Sequence, residues 1–405
     1  MIKDENLKYI FSTEAIRDKA ESILQFTLEG RTQFNLFPEK LEEVADYVLK
    51  VMEEKYPDNN IPFHSRWGHF NVGDINRLQE LDKVLEGKDA KEKSKIKMDL
   101  AIISVLLDAG AGTKWSYSEK ESGKKWNRSE GLAVMSFRAF MEGTFSSVEN
   151  DPLRVDSEAL KKINLKDIET FMQVSESNPL EGLEGRLSLL NKLGDVLERK
   201  LDFFPEKRPG SLVSFIEKNY GLAFSAHKIL ETVLLSLNEI WPSRVEKEGV
   251  PLGDVWEHSL LGPKDSWEAL VPFHKLSQWL SYSLIEPLRE GGFEINELDQ
   301  LTGLAEYRNG GLMVDMGLIR PKNVLMLKDA FKPSDEIIIE WRALTVALLD
   351  RLADRIREKK GCDALSLPMV KILEGGTWHA GRAKALELRE DMSPPLKLES
   401  DGTVF

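Results

Sequence analysis

The chain has 405 residues, 41% of them apolar and 30% charged, with a mean hydropathy of −0.32, which is enough material for an ample core without disulfide or metal staples. Its formal net charge of −13 argues against a nucleic-acid partner, although a few local arginines can still hold a phosphate in an acidic protein. One cysteine, Cys362, excludes an internal disulfide framework and cysteine-rich zinc sites and fits a reducing compartment.

The first residues, MIKDENLKYIFSTEAIRDKA, lack the basic and apolar regions of a signal peptide, and no uncharged apolar run is long enough to span a bilayer. A soluble, cytoplasmic protein with no membrane partner is expected. Helical periodicity then dominates. STEAIRDKAESILQFTLEG opens with a Ser/Thr cap and spaces Ile16, Ala20, Ile23, Leu24 and Leu28 along one face. PEKLEEVADYVLKVMEEKYP starts at Pro38 and stops at Pro57. Further helices are predicted in KSKIKMDLAIISVLLDAG, RSEGLAVMSFRAFMEG, GLEGRLSLLNKLGDVLERKL, AFSAHKILETVLLSLNEIW and FHKLSQWLSYSLIEPLRE, then in EIIIEWRALTVALLDRLADRIREKKG and GTWHAGRAKALELRED. EIIIEW has strand composition but runs without a turn into a helical pattern. The terminal PPLKLESDGTVF alternates weakly and holds an Asp-Gly turn signal, which permits a small terminal hairpin.

Irregular loops are expected near 57–72, 110–127, 203–212, 242–268 and 308–335. No repeat of solenoid period is present. The fold class is mainly α, a compact multi-helix protein with few short strands. It is read as a single helical unit over 1–405, with two packed lobes dividing near residue 180 as the alternative.

Five stretches concentrate chemistry-bearing side chains. In PFHSRWGHFNVGD, His64 and His69 stand five residues apart, not the four that place two ligands on one helix face. The stretch reads as a weak metal site, as a core plug of Phe63, Trp67 and Phe70, or as a pocket lined by Arg66, Trp67 and His69. In LLDAGAGTKWSYSE a buried helix delivers Asp108 to its C-terminal end, where the helix dipole disfavours a carboxylate and raises its pKa unless cations compensate. Asp108 either bonds its own turn or belongs to a site with Lys114, Trp115 and Tyr117. In KKWNRSEGLAV the first helical turn holds Arg128, Ser129 and Glu130. Its amides suit an anion, or are simply capped by Asn127 or Ser129.

LDQLTGLAEYRNGGLMVDMGLIRP reads as a helical run ending in Glu306-Tyr307-Arg308 and broken by Asn309-Gly310-Gly311. Glu306 and Arg308 are a surface pair or a carboxylate and a cation aimed into a cleft, and Asp315 lies in an apolar setting where it must find partners. GGTWHAGRAKALELRED reads as a helix starting after two glycines. Trp378, His379 and Arg382 near that start form either a phosphate clasp or an ordinary capped helix. There is no G-x-G-x-x-G before a helix, no Walker loop, no G-x-S-x-G elbow and no H-E-x-x-H, so no cofactor is expected.

Taken together, RWGHF, LLDAGAG with KWSYSE, RSEGLAVMSF, LTGLAEYRNGGL and GTWHAGR resemble the uracil-catabolism protein four family, from about residue 10 to the last phenylalanine. The resemblance implies a place in a pathway that converts uracil to its nucleotide and opens the ring. A ribosylurea phosphate is left, from which urea must be freed by cleaving an N-glycosidic bond. LTGLAEYR is also similar to the L-T-x-x-A-D-Y-R segment of queuosine-nucleotide N-glycosidases, which allows a DNA-glycosylase-like helical architecture. Here Glu306 replaces the aspartate, and Asn309-Gly310-Gly311 replaces the usual Val-Pro-Gln.

An N-glycosidase needs a carboxylate near the anomeric carbon, a base for water and cations for the 5-phosphate. The resemblance therefore makes Asp108 or Glu306 the general base and charge stabiliser, with the other orienting the ureido group. Lys114, Arg128, Arg308 and Arg382 are the candidate cations, with His69 and His379 as further binding residues. Trp67, Trp115, Tyr117 and Tyr307 would exclude water. The expected partner is a small phosphorylated ribosyl substrate, and no metal is called for. Two rival readings stay open, a non-catalytic nucleotide-binding or scaffolding protein of that pathway and a metal-dependent amidohydrolase using His64, His69 or His379.

Overall fold

Two helices have stretches buried on every side, and the rest of the chain is arranged around them. In the computed structural model, which describes residues 4–108 and 110–399, the first of these is Ala90–Leu106, buried at every position from Ile96 to its end. The second is Glu336–Lys360, buried without interruption from Ile337 to Leu349. Lys275–Glu290 packs along the first, and Thr13–Leu28 packs along the second. The short helix Arg66–Phe70 and the helix Arg128–Met141 pack against each other and against Ala90–Leu106, and Tyr307–Asp315 packs along Trp378–Leu388.

The core is one contiguous apolar cluster running from Leu7 to Leu396. Several charges inside it are paired. Asp99, fully buried in Ala90–Leu106, accepts from Arg208 Nε at 2.8 Å and Nη2 at 2.6 Å and from the Gly210 amide at 2.6 Å. Glu119 accepts from Arg77 Nε at 2.7 Å and Arg138 Nε at 2.7 Å, with Trp126 Nε1 at 3.1 Å. Asp315 finds the partner its setting demands in Arg389, which donates Nη1 at 2.9 Å and Nη2 at 2.5 Å.

The protein is mainly α, and its strands are two or three residues long, joined in two-stranded ribbons. Ser116–Ser118 and Lys125–Asn127 form a hairpin with Tyr117 opposite Trp126, inside the expected 110–127 loop. Phe34–Leu36 pairs antiparallel with Ile319–Pro321, tying the N-terminal third to the C-terminal third. No helix among the described residues is long and apolar enough to cross a membrane.

Several expectations need correction. Leu28 falls on the apolar face by spacing but is 57% exposed, at the last residue of the helix. EIIIEW, despite its strand composition, is helical as the pattern following it predicts, and forms the first turns of Glu336–Lys360. The 308–335 loop contains the helix Tyr307–Asp315. Lys397–Leu398 pairs parallel with Ala330–Phe331, and the Asp401-Gly402 turn of the suggested terminal hairpin lies outside the described residues.

The two double-glycine breaks are also not breaks. Gly310 and Gly311 are helical and buried, and a Cβ on Gly310 would sit 2.6 Å from Thr345 Oγ1 and 2.8 Å from Trp341 Nε1. The helical path to Trp378 starts at Met369 and passes through a π-helical turn, Leu373–Thr377, that includes Gly375 and Gly376. A Cβ on Gly376 would meet Val48 Cγ1 at 2.6 Å. In both places glycine permits close helix approach, not a turn.

Candidate functional site

Ala90–Leu106 ends with Leu107 as its C-cap, and Asp108 follows, its amide bonded to Val105 O. Arg186 closes this end, donating Nε to Leu107 O at 3.0 Å and Nη2 to Gly110 O at 3.1 Å. The Asp108 side chain, 9% exposed, is held from two sides. Arg66 Nη1 lies 3.0 Å from Oδ2, and Ser129 Oγ lies 2.8 Å from Oδ1 and 2.9 Å from Oδ2. Ser129 thus serves the carboxylate, and the first turn of Arg128–Met141 has no side-chain cap from Asn127.

Arg66 is fully buried. Its Nε donates to Ser104 Oγ at 2.7 Å, which in turn contacts Ser136 Oγ at 2.6 Å. Its Nη1 also reaches His69 Nδ1 at 3.2 Å. A guanidinium has no lone pair to offer, so His69 Nδ1 is the acceptor and its ring proton sits on Nε2. Burial, reinforced by the Arg66 charge, pulls His69 down to about 3, so the ring is neutral at physiological pH. Burial pushes Asp108 above the ordinary aspartate value, against the pull of Arg66, Ser129, Lys275 and Arg186. The direction is the one its helix-end position suggests, but desolvation is the larger cause.

Glu306 is only 6% exposed and N-caps Tyr307–Asp315. Its Oε2 accepts the Arg308 amide at 2.8 Å and its Oε1 the Asn309 amide at 2.6 Å. This corrects the expected arrangement, since a helix begins at Glu306 and does not end there. Glu306 and Arg308 are no side-chain ion pair either. The Arg308 guanidinium turns to Met392 O at 2.8 Å and lies over the Tyr307 ring, 4.8 Å from its centroid.

Lys275, the first residue of Lys275–Glu290, acts electrostatically on both acids. Its amide is bonded to Asp254 Oδ2 at 3.0 Å, and its ammonium lies within electrostatic reach of both Glu306 and Asp108. Burial lowers its pKa, and the two carboxylates oppose that shift. Asp254 itself stays ionised, because Arg342 grips both its oxygens at 2.7 Å and offsets the burial that would raise it. Sequence reasoning missed Lys275, since a lysine at a helix start looks like a surface residue. Only tertiary packing brings it within electrostatic reach of Asp108.

The remaining candidates divide. Trp67 and Trp115 are core struts, donating Nε1 to Ser283 O and Met172 O at 2.7 and 2.8 Å. Tyr117 is buried on the hairpin strand and lines a different cleft with Phe171 and Gln173. Lys114 is exposed, and Arg128, also exposed, adopts a positive φ of 52° within electrostatic reach of Tyr307. Arg382 stacks over Trp378 and lies 3.9 Å from Glu130. The phosphate clasp expected at Trp378 and His379 lacks its helix N-terminus, because the Trp378 amide is bonded to Leu373 O within the continuous π-turn. His64 and His379 both face Glu374, at 2.7 and 3.5 Å. Among the described residues, no three His, Cys, Asp or Glu side chains gather so as to hold a metal ion.

The family described as "Protein of unknown function (DUF1688)" matches residues 9–405. "Uracil catabolism protein 4" of Lachancea kluyveri is 36% identical over 442 aligned residues that cover all of both chains. "Protein urg3" of Schizosaccharomyces pombe is 37% identical over 412 aligned residues that cover 99% of each. With its motifs and its full length matched, the chain belongs to the DUF1688 family and is a relative of uracil catabolism protein 4.

Proposed function

We propose that this chain acts in uracil catabolism as an N-glycosidase-type hydrolase, releasing urea and ribose 5-phosphate from a ribosylurea 5-phosphate or a related ribonucleotide. The observation that carries the reading is Asp108, a buried carboxylate fixed by Arg66 and Ser129, which lies with Glu306 in the electrostatic reach of Lys275. An oxocarbenium-like sugar needs a preorganised negative charge beside C1′, and a base of raised pKa suits proton removal from water. In this scheme Asp108 stabilises the sugar and takes the proton of the attacking water. Glu306, whose oxygens are anchored by two backbone amides, orients the ureido N–H groups with its remaining lone pairs. Lys275 and Arg308 receive the 5-phosphate, and the Tyr307 ring covers the sugar.

The test is incubation with enzymatically prepared ribosylurea 5-phosphate while urea and ribose 5-phosphate are assayed together. Equal release of both is expected. Ammonia in place of urea would point to an amidohydrolase. Thermal stabilisation by the substrate with no product would make the chain a binding protein.

A further inference from the structure

A second group of titratable side chains lies beside the Asp108 site and is not used by the scheme above. Its centre is Glu374, in the π-helical turn Leu373–Thr377. Gly375 and Gly376 seat this turn against Ile61 and against Val48 and Met52, while the His64 amide bonds to Val370 O and docks the preceding loop onto it. Tyr56 Oη donates to Glu374 Oε1 at 3.1 Å, His64 Nδ1 lies 2.7 Å from Oε2, and His379 Nε2 lies 3.5 Å from Oε1. The Trp378 ring flanks both imidazoles, 6.0 Å from His64 and 4.9 Å from His379.

Burial alone would push the Glu374 carboxyl up, but His379 and His64 hold it well below the ordinary range, so it is ionised. An ionised carboxylate only accepts, so the proton at the 2.7 Å contact belongs to His64 Nδ1. With Nδ1 committed to Glu374, Nε2 is the nitrogen at which His64 can gain or lose a proton, and it has no hydrogen-bond partner among the described residues. A carboxylate that fixes the tautomer of an imidazole whose other nitrogen is left free is the arrangement of an acid–base pair. The pair is close to the first site. His69, bonded to Arg66 and 3.3 Å from Ser129 Oγ, lies within electrostatic reach of Glu374, His64 and His379.

We propose that His64 and Glu374 are the proton-transfer pair for the leaving group at the Asp108 site, with His64 acting through Nε2 and Glu374 as its positioning residue. The assignment rests on the glycosidase reading given above. As the C1′–N bond breaks, its electron pair stays on the ureido nitrogen, which takes the Nε2 proton of the His64 imidazolium. Water oxygen bonds to C1′ and its proton passes to Asp108. Exchange with solvent then restores both groups, and the net reaction is hydrolysis to urea and ribose 5-phosphate.

The experiment compares two substrates that differ in their need for a proton, ribosylurea 5-phosphate and 4-nitrophenyl riboside 5-phosphate, whose phenolate leaves unaided. For H64Q, kcat on the ribosylurea falls about 100-fold or more with KM little changed, while kcat on the nitrophenyl substrate falls no more than about threefold. E374Q gives the same split in smaller degree, and E374D recovers part of it. Equal losses on both substrates would mean a structural role and overturn the pair. A wild-type protein inactive on both substrates would overturn the glycosidase reading and this assignment with it, so the two failures are distinguishable. Melting curves accompany each variant, and if H64Q does not fold, E374Q carries the same comparison.

Discussion

Replacing Asp108 by Asn removes one charge from a place where another cannot adapt. Arg66 is fully buried, with Nε on Ser104, Nη1 on Asp108 and Nη2 without a hydrogen-bond partner. Breaking a buried ion pair by deleting one partner costs roughly 3–5 kcal/mol, because the remaining charge is uncompensated. Asparagine keeps one oxygen for Arg66 and can accept a rearranged contact with Ser129, so about 3 kcal/mol is expected. A chain of 405 residues unfolds with an entropy near 0.85 kcal/mol/K, at about 2.1 cal/mol/K per residue. The melting temperature should therefore fall by about 3–4 °C, measured by scanning calorimetry at pH 7. Product release should fall by about a thousandfold or more, far beyond what lost stability explains at 25 °C. The double variant Arg66→Met with Asp108→Leu, which removes both charges, should recover most of the melting temperature and none of the activity. A D108N protein melting within about 1 °C of wild type would refute the argument that Arg66 depends on Asp108. Retained turnover would remove Asp108 from the mechanism.

Three further outcomes can be checked. Lys275→Met removes a partly buried ammonium whose loss of hydration outweighs the attraction of Glu306 and Asp108, so the melting temperature should hold or rise while KM for a phosphorylated substrate rises about tenfold; an unchanged KM would take Lys275 out of the site. His69 titrates near 3 in the fold against about 6.5 unfolded, so the unfolded chain binds the proton more tightly. Its contribution is whole above pH 6.5 and is lost as pH falls towards 3, about 2 kcal/mol between pH 6 and 4.5. His69→Gln should flatten the acid limb of a stability curve measured by urea denaturation, and parallel curves would contradict this. Gly381→Ala drives a methyl group into the Arg308 carbonyl and should cost about 1–3 kcal/mol by forcing Trp378–Leu388 away from Tyr307–Asp315. Gly185→Ala, with open space around it, should be neutral or slightly stabilising in the same denaturation assay.

Much of this protein is determined locally and can be read from the chain. Helix periodicity and caps locate the helices because burial of an apolar stripe and satisfaction of end amides are short-range requirements. Ser12 accepting the Ala15 amide is one example, and the all-round burial of Ile96–Leu106 is another. The motif positions of Asp108 and Glu306 are likewise visible in sequence. What those carboxylates do is not, because it depends on groups far away in the chain. Arg66 and Ser129 converge on Asp108 from two different helices with Lys275 of a third in electrostatic reach, and Glu374 meets Tyr56, His64 and His379 through the close approach that Gly375 and Gly376 permit. Glycine pairs look alike in sequence whether they end a helix or let two helices touch, since either use needs only a missing Cβ. The sequence by itself determined the helices and the acids they carry. Tertiary packing alone decided which charges face one another, because desolvation and ion pairing act through space and not along the chain.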